Sequence, residues 1–347
     1  MTSDIETRLA NPAGLTRTGD AIGFVGPDVP VEVLLASRRP FGHLPWRTDG
    51  HTPWADEWLE SGFPGWARSI LEQWHDGAFD GLHTVVFSRS DDAAQRLFYY
   101  VRELQQRGSL RGPQPLVFDM SLVPRASSLA NAADAVLTLC KALDVAPSAL
   151  PAAIRRANEL RRALQGLQQR RAGQGAFYER LARAALWNDP SGWIGSVAEP
   201  ASSPAAHRVL LAGSMPPDDR LHAAVEAAGA SVVAEAHAFA LDRLRAAGAA
   251  GDVPALIIAR QLTASSVGPR AFFDRAGWLV AHARDTQAEA VILWLTREDE
   301  ALAWQVPAQR KALAAAGIPA LILPASHWLA NDRAPEHIMN FCRETFG

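Results

Sequence analysis

AIGFVGPDVPVEVLLAS, residues 21–37, is the stretch on which the fold reading turns. Ala21–Val25 is a short apolar run, the length of a buried strand. Gly26-Pro27-Asp28-Val29-Pro30 is turn chemistry, and Pro30 suits the first turn of a helix over Val31–Ser37. Working outward, Phe41–Leu44 reads as the next strand, and Trp54–Ser61 and Trp66–Trp74 as helices, with Pro64 near the second start. His83–Ser88 is β-branched and apolar, a buried-strand pattern. Ser90-Asp91-Asp92 then supplies N-cap chemistry for a helix over Ala93–Gln106, and Leu116–Phe118 is a further strand. Strands separated by helices argue for a parallel sheet covered on both faces.

The last part of the chain repeats the pattern. His207–Leu211, Ser231–Ala234, Ala290–Leu295 and Ala320–Leu323 read as strands. Asp218–Ala228, Pro269–Arg284, Glu298–Ala316 and Pro335–Phe346 read as helices, with Gly229 and Gly317 as helix stops. Between the two parts, from about Ser127 to Trp187, there is no strand signal. Ala153, Ala157, Leu160, Leu164 and Leu167 recur at spacings of 4, 3, 4 and 3, which puts them on one helical face. Arginines 155, 156, 161, 162, 170 and 171 fall around that stripe and read as a solvated face. Ser196–Ala206 has the Pro/Ser/Ala composition of a linker. The expected architecture is α/β: two Rossmann/flavodoxin-like parallel-sheet lobes with a helical insertion and a cleft between the lobes. The expected boundaries are 1–126 for the N-terminal lobe, 127–200 for the helical segment and linker, and 201–347 for the C-terminal lobe.

Composition narrows the partners. The chain has 347 residues and a net charge of −3, so bulk charge favours neither nucleic acid nor an anionic membrane. Apolar residues make up 48% and charged residues 20%, a globular balance. The opening MTSDIETRLANPAG lacks the long apolar region of a secretory segment, and no apolar run approaches the ~20 residues of a membrane span. A cytoplasmic, reducing location is expected. Cys140 and Cys342 are the only cysteines, too few for a four-thiolate metal site within one chain.

In open parallel sheets, ligands sit at the carboxyl ends of strands. The informative loops therefore follow Val25, Ser88, Ala212 and Leu295. Gly213-Ser214 opens a possible phosphate loop, although it lacks the several glycines of a dinucleotide fingerprint. Ser88–Asp92 and Thr296–Glu300 each give an acidic helix start, which the helix dipole alone would favour. No Gly-x-Ser-x-Gly or His-Glu-x-x-His occurs, and the ten histidines are scattered. The eleven tryptophans read as core and interface residues.

The order of the motifs says more than any one of them. Val29-Pro30-Val31-Glu32 is followed by Gly62-Phe63-Pro64-Gly65-Trp66-Ala67-Arg68-Ser69, then by Ser90-Asp91 before Arg96-Leu97. Arg208–Ser214 precedes Ala228–Val233, and Glu298-Asp299, Gln305-Val306-Pro307 and Ala316–Leu321 close the series. This series, from about Ile22 to Phe346, resembles the 2-hydroxyacyl-CoA dehydratase family, whose relatives include benzoyl-CoA reductase cluster subunits. The resemblance implies an iron–sulfur cluster held by cysteines between two α/β lobes, a heterodimer of homologous subunits and an ATP-using activator. Phe63, Ser90 and Glu298 stand where the resemblance implies those cysteines, while Asp91 and Asp299 keep the aspartates that follow two of them. Phenylalanine cannot ligate iron, and hydroxyl and carboxylate oxygens are hard donors poorly suited to such a cluster.

Three functional readings follow. The first is a subunit without cluster ligands, acting beside a homologous cluster-bearing chain in an acyl-CoA-processing complex. The second is a stand-alone binding protein for an acyl-CoA or another small anion. The third is an enzyme of different chemistry, with carboxylates of the cleft as acid/base groups or divalent-metal ligands. The cleft candidates are Glu32, Ser90, Asp91, Glu298 and Asp299. No cofactor or metal is expected in this chain.

Overall fold

A computed structural model describes residues 2–10, 12, 19–169, 171, 173–197, 206–240, 253–265 and 273–347. The chain begins with α1 (Thr2–Ala10). It continues through β1 (Ala21–Val25), α2 (Val31–Ser37), β2 (Phe41–His43), α3 (Pro53–Trp58), α4 (Gly65–His75), β3 (Leu82–Ser88), α5 (Asp92–Gln106) and β4 (Gln114–Phe118). Three helices follow: α6 (Ala126–Ala142), α7 (Leu150–Gln169) and α8 (Gly175–Trp187). The second half holds β5 (His207–Gly213), α9 (Arg220–Ala227), β6 (Ala230–Ala236), α10 (Pro254–Ser265), α11 (Arg275–Asp285), β7 (Ala290–Thr296), α12 (Glu300–Ala303), α13 (Val306–Ala315), β8 (Ala320–Ser326) and α14 (Ala334–Phe346).

These strands form two four-stranded sheets, ordered β2-β1-β3-β4 and β6-β5-β7-β8, with every pairing parallel. The chain is a two-lobed α/β protein whose halves repeat one topology. The inner strands explain why. β7 is buried along its whole length and β3 at six of its seven residues, as strands covered on both faces must be. β4 and β8 are the more open edges, and each carries a proline (Pro115, Pro324) that an inner strand would reject for want of an N–H.

The lobes are joined by a shared core. One apolar cluster takes Trp66, Trp74 and Phe87 from the first lobe and Leu211, Trp294 and Ile338 from the second. The Trp46 indole N–H donates to the Pro217 carbonyl across the junction, 2.8 Å. Helix α8 lies against both sheets. At its C-terminal end the Trp187 carbonyl group meets Gly42 on β2, and at its start Gly175 meets Val232 on β6.

The helical middle has the expected stripe: Ala153, Ala157, Leu160, Leu164 and Leu167 are all buried. The arginines around it divide. Arg155, Arg156 and Arg162 are exposed, whereas Arg161 and Arg171 are buried, contrary to a uniformly solvated face; Arg170 lies outside the described residues. Most of the expected linker, 198–205, and the start of the helix expected from Pro269 also lie outside them. The helix expected over Glu298–Ala316 is two, α12 and α13, because Pro307 cannot donate within a helix and takes the first turn of a new one. α10 has no counterpart in the sequence reading. It packs on α6 and puts Ile258 and Ala259 into the core beside the first sheet. Its continuous run Ala255–Ile258 hides the helical period. Among the described residues no single helix is long and apolar enough to cross a membrane.

The contact at Gly42 is testable. A Cβ there would overlap the Trp187 carbonyl group, 2.7 Å from its carbon. Gly42→Ala is expected to cost about 1–3 kcal/mol in urea unfolding, as an overpacking change. Gly50→Ala, whose Cβ would meet nothing nearer than Arg47 at 3.7 Å, is expected to change stability by less than about 0.5 kcal/mol.

Candidate functional site

Strand order places the reversal of each sheet between β1 and β3 and between β5 and β7, where an open α/β sheet leaves a crevice. At the first reversal Gly26 (φ 88°) turns the chain out of β1, and a Cβ on it would stand 2.8 Å from Ala94 Cβ. The Ser90 N–H donates to Ser88 Oγ (3.1 Å), and the Ser90 hydroxyl donates to the Pro27 carbonyl (3.2 Å). Asp91 caps α5, accepting from the Ala94 N–H at 2.8 Å. At the second reversal Gly213 (φ 110°) fits under the Trp294 carbonyl group. The Ser214 N–H donates to Trp294 O (2.9 Å), the Thr296 N–H donates to Ser214 Oγ (2.9 Å), and the Ser214 hydroxyl donates to Asp299 Oδ2. Burial pushes the Asp299 carboxyl up, against the Ser214 and Thr296 hydroxyls, with the Glu298 charge adding to the rise.

The two crevices face one another. A cavity of about 70 Å³ is lined by Trp66 and Asp91 from the first lobe and by Ser214, His237, Phe239 and Asp299 from the second. A larger cavity of about 170 Å³ lies between the loop after β1, α7, α8 and α10. A third, of about 30 Å³, holds Glu179, Arg183, Glu235 and His237. Phe239 lines all three, and its ring stands edge-on to His43, 5.2 Å between centroids.

Buried charges surround the third cavity. Arg171 reaches Glu235 with both terminal nitrogens at 3.3 Å, and His222 Nε2 stands 2.5 Å from Glu235 Oε1. Burial alone would raise the Glu235 carboxyl, but Arg171, His222 and His237 outweigh it and hold it well below the usual carboxylate range. Glu179 behaves oppositely. Burial pushes it up to about 8 despite Arg183, with Glu235, Asp219 and Asp218 adding to the rise. Two carboxyls at one cavity with their ionisations driven apart are chemically suited to holding and releasing a proton near neutrality.

The sequence candidates divide. Asp91, Gly213, Ser214 and Asp299 line one cavity; Phe63, Ser90, Glu298 and Glu32 are not among its described lining residues. The Phe63 ring is 1% exposed, edge-on to Tyr100, with the Arg96 guanidinium 4.1 Å from its centroid. Ser90 is fully buried in the turn it braces. Glu298 is half-buried, and its Oε2 has no hydrogen-bond partner among the described residues. Glu32 is fully buried on α2, its Oε1 2.6 Å from Arg161 Nη2. The Gly213-Ser214 loop spends both the N–H and the hydroxyl of Ser214 internally, and α9 starts only at Arg220.

Sequence reasoning missed His43, Glu179, Glu235, His237 and Phe239. Arg161 alone had a readable signal, since it falls four residues after Ala157 and three before Leu164, on the buried stripe.

His43 gives a pH test. Its Nδ1–H donates to Leu44 O (2.7 Å) and its Nε2 accepts from the Gly26 N–H (3.0 Å), which fixes the neutral tautomer. Burial lowers its pKa from 6.5 to about 4, against the Leu44 bond. Its contribution to stability is therefore present above pH 6.5 and lost as pH falls towards 4. Relative to His43→Gln, which keeps an acceptor for Gly26, the wild type should lose about 3 kcal/mol between those limits, read by urea unfolding at each pH. An unchanged difference would refute a neutral buried imidazole.

A comparison with curated proteins finds no match. The sequence model of the family described as 2-hydroxyglutaryl-CoA dehydratase, D-component, matches residues 28–331, a span that begins in the turn after β1 and takes in Asp91, Ser214 and Asp299. With a match that spans most of both lobes, the chain belongs to the 2-hydroxyglutaryl-CoA dehydratase D-component family.

Proposed function

We propose that this chain is a dehydratase-type component without iron–sulfur ligands, and that it works as a cytoplasmic partner or accessory subunit of an acyl-CoA-processing complex. The observation that carries the reading is what the side chains at the implied cysteine positions do instead. Phe63 is core, packed under Arg96, and Ser90 is committed to the turn after β1. Both thiols of the chain are buried in helices elsewhere: Cys140 on α6 and Cys342 on α14. Burial raises both, Cys342 to about 11, which disfavours the thiolate that iron requires. The residues at the site do not fit an iron–sulfur cluster.

The facing crevices, with Asp91 and Asp299 on one cavity, support retention of a ligand- or partner-facing surface. The loop at Gly213-Ser214 gives little support to a stand-alone phosphate site, because its polar groups are engaged. Among the described residues no three His, Cys, Asp or Glu side chains form a metal-binding group.

Chain purified without oxygen is expected to carry no stoichiometric iron or acid-labile sulfide. About four irons per chain, retained in a Cys140→Ser/Cys342→Ser double variant, would overturn the reading. Calorimetric titration with acetyl-CoA and co-purification with a cysteine-bearing homologous chain test the other half. Tight association with such a chain is expected; a colourless monomer that binds acetyl-CoA alone would favour a stand-alone binding protein.

A further inference from the structure

The larger cavity is chemically unlike the other two. Its wall includes Phe24, Phe41, Leu160, Leu164, Leu186 and Leu262, and its polar side chains among the described residues are Asp28, Arg161 and Gln261. Among the described lining residues Arg161 brings the one positive charge, and it is already matched. Its Nη2 is 2.6 Å from Glu32, which is fully buried behind it, and its Nη1 donates to Asn158 at 3.2 Å. A carboxylate entering this space would have to share that guanidinium with Glu32. An ion in that position is poorly compensated, and burying such a charge is costly. Hydrocarbon meets no such penalty, since burial of apolar surface is favourable in itself.

Size agrees with the chemistry. The cavity is about 170 Å³. An apolar cavity of about 150 Å³ is large enough to stay dry and bind benzene. Phe239 lines both this cavity and the one that holds Asp91 and Asp299, so a molecule with a polar end and an apolar end would straddle that ring.

We propose that the cavity between the β1 loop, α7 and α8 is a binding site for an uncharged hydrocarbon group about the size of a benzene ring. In the setting of the function proposed above, on which this step rests, that group is the acyl side chain of a thioester ligand. The substrate class is then an acyl group with an aliphatic or aromatic side chain, in place of the second carboxylate of the 2-hydroxyglutaryl group in the family's description.

The test uses toluene and glutarate as probes on the full chain, read by thermal unfolding. Toluene at about ten times its dissociation constant should raise the melting temperature by about 2 °C. Glutarate should leave it unchanged. Ala185→Phe and the smaller insertion Ala182→Leu both fill the wall, and each should abolish the toluene shift. Crystals pressurised with xenon read the same cavity without any substitution, and xenon density between Leu160 and Leu186 is expected. No toluene shift and no xenon, a toluene shift that survives both insertions, or a glutarate shift lost on either insertion would each overturn the proposal. Acetyl-CoA titration separates the two claims. Toluene binding without acetyl-CoA binding keeps the cavity and removes the thioester reading. Acetyl-CoA binding without toluene or xenon does the reverse.

Discussion

Gly26 and Gly213 stand where the chain leaves the second strand of each sheet, and neither has room for a side chain. Ala94 closes on the first and the Trp294 carbonyl group on the second. Both also hold φ near 90–110°, a region that favours glycine. This close approach draws the end of one strand against α5 in the first lobe and against β7 in the second. It makes the crevice at each strand reversal a tight, hydrogen-bonded corner. Ser88 and Ser90 brace one corner, and Ser214, Thr296 and Asp299 brace the other. Because the lobes repeat one topology and face each other, the two corners bound a single cavity.

The helical segment ties this arrangement together. α8 touches β2 through Trp187 and β6 through Gly175, so one helix touches an outer strand of each sheet. Two arginines add one buried ion pair to each lobe. Arg161 meets Glu32 on α2, and Arg171 meets Glu235 on β6. Buried pairs of this kind contribute little net stability relative to apolar packing, but losing one partner strands a charge. The same two pairs shape the cavities: the first matches the Arg161 charge on the wall of the larger one, and the second holds Glu235 ionised beside Glu179.

The division of the candidate residues has a physical basis. Asp91 and Asp299 could be placed at the cavity from their positions after inner strands, because strand ends in a parallel sheet carry the ligand-facing loops. Phe63, by contrast, lies in the turn before α4, and its ring turns into the core under Arg96. Ser90 is one residue from Asp91 yet points the other way, since it must satisfy the Pro27 carbonyl in a buried turn. Glu32 looks like a cleft acid by its distance from β1, but it sits on the face of α2 that meets α7.

Local pattern determined the alternation of strand and helix, the repeat of that alternation in the last part of the chain, and the buried stripe of α7. Those features depend on residues a few positions apart, where periodicity and turn chemistry act directly. The order of motifs carried the family resemblance in the same linear way. Tertiary structure alone decided the rest: the return of α10 to the first lobe's core, the meeting of Arg171 with Glu235 sixty-four residues on, and the use of Phe239 as the wall between three cavities. Each of these joins segments far apart in sequence through burial and charge pairing. The free energy of such a contact depends on what the remote partner is, and no local window of sequence contains it.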